Sequence, residues 1–322
     1  MLLDSNYLGL NLRSPIILAS SGLTDNPDKI IKAFECGAGA VVIKSLFEEQ
    51  IVANIHSNKY HEIKDYHNSF EFAEKIGNDQ IMDNYISLIK TVKSQAEHPL
   101  IASINCVSSE VWYYFSLKLE DAGVDALELN ISIPPLAEYT SYESLIANYI
   151  NIIEKVISNV SLPVSIKLPP YFPNYKLLID AFQEIGVSSV VMFNRLYAPD
   201  IDIEKLELLS ESHLSSSSEI GNSLRWIALL SDSAKLGISA ATGIHTSSDI
   251  IKLLLAGADS VQICSAIYLK GYDYIAILND EIAAWMKKKG FNSINEFKGL
   301  IAKEHKYTAD FERMQYMIRN KY

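Results

Sequence analysis

The feature that most constrains this chain is the eightfold alternation of short apolar runs with longer segments of helical periodicity. The runs resemble the buried strands of a parallel sheet, which are apolar on both faces. The candidate strands are Pro15–Ser20, Ala40–Lys44, Pro99–Ile104, Asp125–Asn130, Pro163–Leu168, Ser188–Phe193, Gly237–Ala241 and Asp259–Ile263. Eight βα units in 322 residues predict an α/β fold of the closed (β/α)8 type, a TIM barrel, rather than an open doubly wound sheet.

Glycines upstream of several strands support this periodicity, because a helix must end before the chain can turn into a strand. These glycines are Gly37, Gly39, Gly123, Gly186 and Gly257. The sequence contains no linker that would separate two domains. We therefore predict that residues 1–322 form one barrel domain.

Three segments exceed the minimal repeat. Residues Leu2–Ser14 predict an N-terminal hairpin that closes the bottom of the barrel. Long loop insertions follow strands 2 and 6, at Phe47–Asp79 and Arg195–Asn222. Long loops after barrel strands are commonly lids or substrate loops. The polar run Ser215–Ser218 in the second insertion predicts a surface segment outside the core.

Composition excludes several classes of protein. A content of 48% hydrophobic and 21% charged residues indicates a folded core, and the net charge of −11 argues against a nucleic-acid partner. No apolar run reaches the roughly 18 to 20 residues that a membrane helix needs, so we predict a cytoplasmic protein without a membrane partner. Three scattered cysteines, Cys36, Cys106 and Cys264, predict neither a disulfide framework nor a metal site.

Two lysines occupy matching positions at the ends of apolar runs, Lys44 in strand two and Lys167 in strand five. A buried ammonium is costly unless it faces an anion or a polar ligand, although a lysine at the rim can also extend to solvent. The pair favours a shared anionic or electron-rich ligand. Asn130 and Asn194 end strands four and six, where an amide can bind a planar heterocycle or simply form a turn.

The last two units predict a phosphate site. Ala240–Thr246, with Gly243, follows strand seven, and Cys264–Ala266, with Ser265, follows strand eight. In barrels of this type, backbone N–H groups of the corresponding loops bind phosphate. Ordinary βα turns are the alternative interpretation. We call these two segments the phosphate loops.

In these motifs the chain resembles the class 1 dihydroorotate dehydrogenases, and it is also similar to the flavin domain of dihydropyrimidine dehydrogenases. The resemblance covers nearly the whole chain. Its motifs are Ala19–Gly22, Lys44-Ser45, Asn68-Ser69, Glu128–Ser132, Lys167–Phe172, Asn194, Thr242–Ile244 with Asp249, Ala256–Ala258 and Val261–Ile263.

The resemblance implies a single FMN-binding barrel and a small-molecule substrate, dihydroorotate or a similar compound. The implied cofactor-binding residues are Ala19, Ser20, Gly22, Lys44, Ser45, Asn130, Lys167, Gly243, Cys264 and Ser265. Lys167 would stabilise the anionic reduced flavin. Lys44 would lie near both flavin and substrate, and Asn68, Asn130 and Asn194 would bind the pyrimidine ring. A homodimer is also implied.

The loop after strand four departs from the family pattern Asn-x-Ser-Cys-Pro-Asn. This chain reads Asn130-Ile131-Ser132-Ile133-Pro134-Pro135, so isoleucine replaces the cysteine base and proline replaces a substrate-binding asparagine. A general base typically contributes about 10²–10⁴-fold to such a step. Candidate catalytic residues are Lys44 and Ser132. Other possible bases are His67, Glu138 and Tyr139.

Two alternatives remain open at this point. The changed loop is compatible with an FMN oxidoreductase that acts on a different cyclic or unsaturated substrate. The phosphate loops alone are compatible with a non-redox barrel that binds another phosphorylated ligand. The electron acceptor could be fumarate, a partner subunit or another soluble oxidant.

Overall fold

The computed structural model describes residues 2–51, 80–106, 109–131, 141–196, 199–209 and 214–305. The strands are β1 Ser5–Tyr7, β2 Leu10–Leu12, β3 Ile16–Leu18, β4 Ala40–Val42, β5 Leu46–Phe47, β6 Leu100–Asn105, β7 Ala126–Leu129, β8 Val164–Leu168, β9 Ser189–Met192, β10 Asp200–Asp202, β11 Glu207–Leu209, β12 Gly237–Ala241 and β13 Ser260–Ile263. The α-helices are α1 Pro27–Glu35, α2 Gln80–Gln95, α3 Ser109–Ala122, α4 Tyr142–Ile157, α5 Tyr175–Glu184, α6 Ile220–Leu230, α7 Ser247–Ala256, α8 Ser265–Lys270, α9 Tyr274–Lys289 and α10 Leu300–His305. Short 3₁₀ turns occur at Ser217–Glu219 and Ile294–Glu296.

The central sheet closes on itself. Its strand order is β4-β3-β13-β12-β9-β8-β7-β6, and an additional pairing between β4 and β6 completes a barrel of eight parallel strands. The two residues of β5 extend the sheet beside the end of β6. The predicted (β/α)8 barrel is therefore confirmed. The assignment of residues 1–322 to one domain stays a prediction, because residues 306–322 lie outside the described part of the chain.

Side chains alternate between the helix layer and the barrel interior. In the lower layer of the interior, nearest the start of the strands, two halves differ. The apolar half comprises Ile17, Ala40, Val42, Ile101 and Ala126, on β3, β4, β6 and β7. The serine half comprises Ser165, Ser189, Ser239 and Ser260, on β8, β9, β12 and β13, and all four serines are fully buried.

The predicted N-terminal hairpin is confirmed and consists of β1 and β2 in antiparallel register. Tyr7, Leu8 and Leu12 of this hairpin pack against the apolar half and close the barrel floor. Burial raises the pKa of the Tyr7 phenol well above its usual range, and the negative charge of Glu128 adds to the shift. The hairpin thus extends the buried core beneath the barrel.

Asn279 of α9 ties the last βα unit to the first. Its amide donates to the carbonyl of Gly37 (3.0 Å) and accepts from the hydroxyl of Ser14 (2.7 Å). Gly39 lies nearby, and a Cβ at this position would stand 2.0 Å from the Ser14 carbonyl oxygen. Gly39 was predicted to end a helix, but α1 ends at Glu35 and the glycine is instead required by this close approach of two backbones.

Several predicted boundaries require correction. Six of the eight barrel strands are shorter than predicted, so Lys44 and Asn194 follow β4 and β9 by two residues, and Asn130 follows β7 by one. The strand Gly237–Ala241 is confirmed without change, and β6 has the predicted length but begins one residue later. The insertion Arg195–Asn222 is not a plain loop, because it contains the hairpin of β10 and β11 and the start of α6. Most of the insertion Phe47–Asp79 lies outside the described residues.

Among the helices of the described ranges, none has both the length and the apolar composition of a membrane span.

Candidate functional site

A cavity of about 380 Å³ opens at the carboxyl ends of β3, β8, β9, β12 and β13. Its volume lies within the range of roughly 300–1,000 Å³ that is usual for small-molecule sites. The lining residues are Ala19, Ser20, Ser21, Lys167, Phe193, Asn194, Arg195, Leu214, Ser215, Ala241, Thr242, Gly243, Ile244, Gln262, Cys264, Ser265 and Tyr268. The cavity therefore stands above the serine half of the barrel, at the end where barrel enzymes place their chemistry.

The first phosphate loop has a strained backbone. Thr242 has φ +74° and Gly243 has φ +77°, and a positive φ is a genuine outlier for a β-branched residue. The Thr242 hydroxyl holds the turn by donating to the carbonyl of Phe193 (2.9 Å). A Cβ on Gly243 would stand 2.4 Å from the backbone nitrogen of Ile220, so only glycine fits between this loop and α6.

Asp249 organises the residues after this turn. One of its carboxylate oxygens, Oδ2, accepts hydrogen bonds from the backbone N–H groups of His245 (3.1 Å) and Thr246 (3.0 Å). The same oxygen accepts from the hydroxyls of Thr246 and Ser217. Because Asp249 is almost fully buried, these bonds fix the loop against the start of α7.

The serine run folds over the two phosphate loops and is not a detached surface segment. Ser215 is buried, its backbone N–H donates to the Ser265 hydroxyl (3.1 Å), and its own hydroxyl lies 3.0 Å from Nε2 of His245. The prediction of a surface segment is wrong for Ser215, whereas Ser216, Ser217 and Ser218 are exposed as predicted. Of the other hydroxyls in the run, those of Ser216 and Ser218 lie 2.7 Å apart, and that of Ser217 donates to Asp249 at 3.0 Å.

Arg195 adds a positive charge to the cavity wall. Its Nε donates to Oε2 of Glu219 (2.8 Å), and both side chains are about one third exposed. Glu219 also accepts from the backbone N–H of Ser216 (2.8 Å). The ion pair therefore joins the loop after β9 to the start of α6, beside Gly243.

A second cation lies deeper. Lys167 is 8% exposed, and its ammonium is 3.4 Å from Oε1 of Gln262 and 3.6 Å from Oε1 of Glu128. Gln262 Nε2 donates to Oε2 of Glu128 at 2.6 Å. Glu128 is fully buried, so this network connects β7, β8 and β13 across the barrel and ends at the cavity with Lys167 and Gln262.

Asn130 and Asn194 meet at the barrel mouth. Asn194 Nδ2 donates to Asn130 Oδ1 at 2.9 Å, and Asn194 lines the cavity. Their remaining amide atoms can offer both a donor and an acceptor to a ring that carries carbonyl and N–H groups.

Lys44 differs from Lys167. Its side chain is exposed, and it is not among the described residues that line the cavity. The adjacent Ser45 is buried, and its hydroxyl lies 3.1 Å from that of Ser20 and 2.7 Å from that of Ser103. This chain of hydroxyls runs from Ser20 in the cavity wall to Ser103 on β6, above the apolar half.

The three cysteines are free thiols. Burial raises the pKa of Cys264, although a hydrogen bond with Ser21 and the charge of Lys167 oppose the shift. Burial also raises the pKa of Cys106, and the carboxylates Glu48 and Glu49 add to it. Cys264 lines the cavity, whereas Cys106 belongs to the buried hydrophobic core.

The predicted site residues thus fall into groups. Those that line the cavity are Ala19, Ser20, Lys167, Asn194, Gly243, Cys264 and Ser265. Asn130 and Ser45 bond to members of this group, and a Cβ on Gly22 would contact the hydroxyl of Tyr268 at 2.8 Å. Asn68, Ser132 and Ile133 lie outside the described residues, as do His67, Glu138 and Tyr139.

Sequence reasoning missed Glu128, Arg195, Ser215, Gln262 and Tyr268 as part of the site or its support. Glu128 and Gln262 gave a signal, because each is a polar residue inside an otherwise apolar strand and a buried polar side chain needs a partner. For Tyr268, which lies one turn into the short helix α8, we found no comparable signal.

The arrangement fits a ligand with an electron-rich planar group and a phosphate tail. Lys167 and Gln262 lie at the bottom of the cavity, and the two phosphate loops with Arg195 form its wall. A fixed cation stabilises negative charge that develops on a ring, whereas backbone N–H groups in a tight turn bind an anion. Both features are present in one cavity.

A family model described as dihydroorotate dehydrogenase matches residues 2–286. A dihydroorotate dehydrogenase B (NAD(+)), catalytic subunit, from Pyrococcus furiosus is 30% identical over 315 residues, covering 94% of this chain and 100% of the relative. The protein of the same name from Pyrococcus abyssi is 29% identical over 314 residues, with 94% and 100% coverage. That from Thermoplasma acidophilum is 27% identical over 305 residues, with 92% and 98% coverage.

Proposed function

This chain belongs to the dihydroorotate dehydrogenase family, whose members are oxidoreductases acting on CH–CH groups, and we propose that it binds FMN and oxidises or reduces a dihydropyrimidine-type substrate. The observation that carries the proposal is that the buried cation Lys167 and the glycine turn at Gly243 line the same cavity. A flavin would use both features, because its phosphate needs an anion site and its reduced ring carries a negative charge that a buried cation stabilises.

FMN fits the residues that are present. Its phosphate would be held by the phosphate loops at Gly243 and Cys264-Ser265, and its ring would lie against Ala19, Ser20 and Gly22. The strained turn at Thr242–Gly243 supports this assignment, because backbone strain is retained where it exposes N–H groups to a ligand. When bound, FMN supplies a hydride acceptor for the substrate carbon.

The side chains of this chain supply charge and orientation. Lys167 holds a positive charge against the electron-rich side of the cofactor, where preorganised charge stabilises the reduced form. Asn130 and Asn194 hold each other and present amide groups to the substrate ring. Lys44, Ser45 and Asn68 complete the proposed binding set, with Lys44 and Ser132 as the catalytic candidates.

Ile133 determines how fast dihydroorotate can react. An isoleucine side chain cannot accept a proton, so removal of the proton beside the hydride-donating carbon lacks the usual base. We infer that dihydroorotate is oxidised about 10²–10⁴-fold more slowly than with a positioned base. The same substitution favours a second candidate, in which the enzyme acts on a cyclic unsaturated substrate whose reaction needs no thiol base.

We further propose a homodimer in the cytoplasm. The three free thiols agree with a reducing compartment. The relatives carry the words NAD(+) and catalytic subunit in their names, which favours a second subunit as the electron acceptor over fumarate. Analytical ultracentrifugation of the purified chain checks the dimer, because a monomer mass would contradict it.

The test of function begins with the purified protein. Denaturation should release FMN, identified by its absorbance and chromatographic mobility, in about one equivalent per chain. A protein that releases no flavin, and binds none when FMN is added, would refute the proposal. Anaerobic addition of dihydroorotate should then bleach the flavin slowly.

The variant Ile133→Cys separates the two substrates. Under the first candidate, the thiol should accelerate bleaching by dihydroorotate by at least about tenfold. Ile131→Cys provides the matched control, because it adds a thiol two residues away to a buried position beside Tyr149. If Ile133→Cys binds orotate but stays inert, the second candidate is the correct one.

A further inference from the structure

The carboxylate of Glu128 is buried directly behind the cation that faces the cavity. Glu128 is fully buried. Its Oε1 atom lies 3.6 Å from the Lys167 ammonium but accepts no hydrogen bond from any described residue. A buried carboxylate with one unbonded oxygen is costly to desolvate. Nothing in the proposed binding of FMN or substrate uses it, so its presence calls for a separate explanation.

Gln262 fixes the orientation of this network. Its Nε2 donates to Glu128 Oε2 at 2.6 Å, and an amide that donates through nitrogen must turn its oxygen elsewhere. That oxygen, Oε1, lies 3.4 Å from the Lys167 ammonium. Glu128 therefore decides which atom of Gln262 faces the cation, because it accepts from the amide nitrogen and leaves the amide oxygen toward Lys167.

The network balances charge at the base of the cavity. An isolated Lys167 would present a full positive charge to any ligand above it, whereas a carboxylate 3.6 Å away offsets much of that charge. Salt screens this interaction little, because both groups are buried. The field that acts on the ligand is consequently weaker than the lysine alone would produce.

We propose that Glu128 is a positioning residue that orients Gln262 and offsets the charge of Lys167, and thereby keeps the reduction potential of the bound flavin low. This inference rests on the proposed binding of FMN. A flavin of lower potential passes its electrons more readily to an acceptor, so Glu128 favours reoxidation at the expense of reduction.

Sulfite binding measures this charge without turnover. The sulfur lone pair of added sulfite forms a bond to N5 of oxidised flavin, and the displaced electron pair moves onto N1 and the C2 carbonyl. The product would therefore carry a negative charge on the electron-rich side of the ring, the side that Lys167 is proposed to face. Removing the charge of Glu128 by Glu128→Gln should lower the sulfite Kd at least about tenfold and raise the flavin midpoint potential.

Three further variants separate charge from packing. Glu128→Met also removes the charge and fills the space with an apolar chain, so it should shift the sulfite Kd in the same direction as Glu128→Gln. Glu128→Asp retains the charge and should stay within about threefold of wild type. Ser165→Ala alters a buried neutral residue two positions before Lys167 on β8 and should leave the sulfite Kd unchanged.

The outcomes distinguish this inference from the proposed function. Wild-type protein without FMN would refute the proposed function itself. FMN-bound Glu128→Gln with the wild-type sulfite Kd and potential would overturn only the role of Glu128. If neither neutral variant accumulates as folded protein, Glu128→Asp still decides, because a Kd at least about tenfold tighter despite the retained charge would overturn the proposal.

Discussion

The two halves of the lower barrel interior share one backbone geometry but use it differently. In the apolar half, Ile17, Val42 and Ile101 pack against the hairpin that closes the floor. In the serine half, the Ser239 and Ser260 hydroxyls bond to each other (2.9 Å), and the cavity opens above them. Apolar packing stabilises one side of the lower interior, whereas the other side buries hydroxyl groups beneath the cavity.

The largest expected effect tests this contrast directly. Ile101→Ala removes a buried side chain from the apolar half and should lower the free energy of unfolding by about 3 kcal/mol, because a cavity remains. Ser239→Ala removes one hydrogen bond from the serine half and should cost about 1 kcal/mol. Urea unfolding of both variants gives the two values.

Ile201→Ala serves as the control for this pair. Ile201 is 59% exposed on β10, so its truncation should change the free energy of unfolding by no more than about 0.5 kcal/mol. Equal losses for Ile101→Ala and Ser239→Ala would show that the two halves contribute equally, and the contrast would have to be abandoned.

A smaller effect on stability, but a specific one on binding, is expected at the cavity. Gly243→Ala forces a side chain onto a backbone at φ +77° and against Ile220, which should cost about 2 kcal/mol and weaken FMN binding at least tenfold. Fluorescence titration with FMN measures the affinity.

Gly221 provides the matched control for Gly243. It lies in α6 next to Ile220, and a Cβ there would meet no atom within 4 Å. Gly221→Ala should therefore leave FMN affinity unchanged and stabilise the helix by roughly 0.5–1 kcal/mol. Loss of FMN affinity in both variants would mean that α6, not the glycine turn, controls binding.

The smallest effect concerns two thiols that follow strands of opposite halves. Burial raises the pKa of both Cys264 and Cys106 above the usual value of 9.0. Since only the thiolate reacts, alkylation of Cys264 by iodoacetamide should be slow at neutral pH and accelerate about tenfold per pH unit as the pH rises. Cys106 should stay unmodified, because it is packed in the core.

Peptide mass spectrometry measures the extent of alkylation of both cysteines in one sample. FMN should protect Cys264, which lines the cavity, without affecting Cys106. The free energy of unfolding should also depend on pH. Because the folded state disfavours both thiolates, their contribution to this free energy is fully present at lower pH and is lost as the pH rises above 9.0. Protection of Cys106 by FMN would contradict the proposed position of the ligand.

The sequence predicted the architecture well, because each barrel strand is recognisable from the residues within and next to it. Apolar runs, helix-ending glycines such as Gly257 and the N-terminal hairpin are all features of a few adjacent residues. The errors lie where distant contacts override such signals. Gly39 serves a close approach to Ser14, and Ser215 is buried because phosphate-loop residues accept and donate its hydrogen bonds.

The candidate site was harder to predict for the same reason. Lys167 and Gln262 are 95 residues apart in the sequence, and only closure of the barrel brings them together. Lys44 and Lys167 look equivalent in sequence, since each ends an apolar run, yet one is exposed and the other is buried beside a carboxylate. Local patterns do not distinguish these two environments.

The closing pair of strands has a consequence for how the protein is made. β3 pairs with β13 through Val261↔Ile16, so one edge of the first barrel strand stays open until the last barrel strand is made. Until Ser260 has left the ribosome, the nascent chain carries an unpaired, apolar strand edge of the kind that recruits other chains. During synthesis the barrel is therefore prone to aggregation until its last strand, β13, pairs with β3.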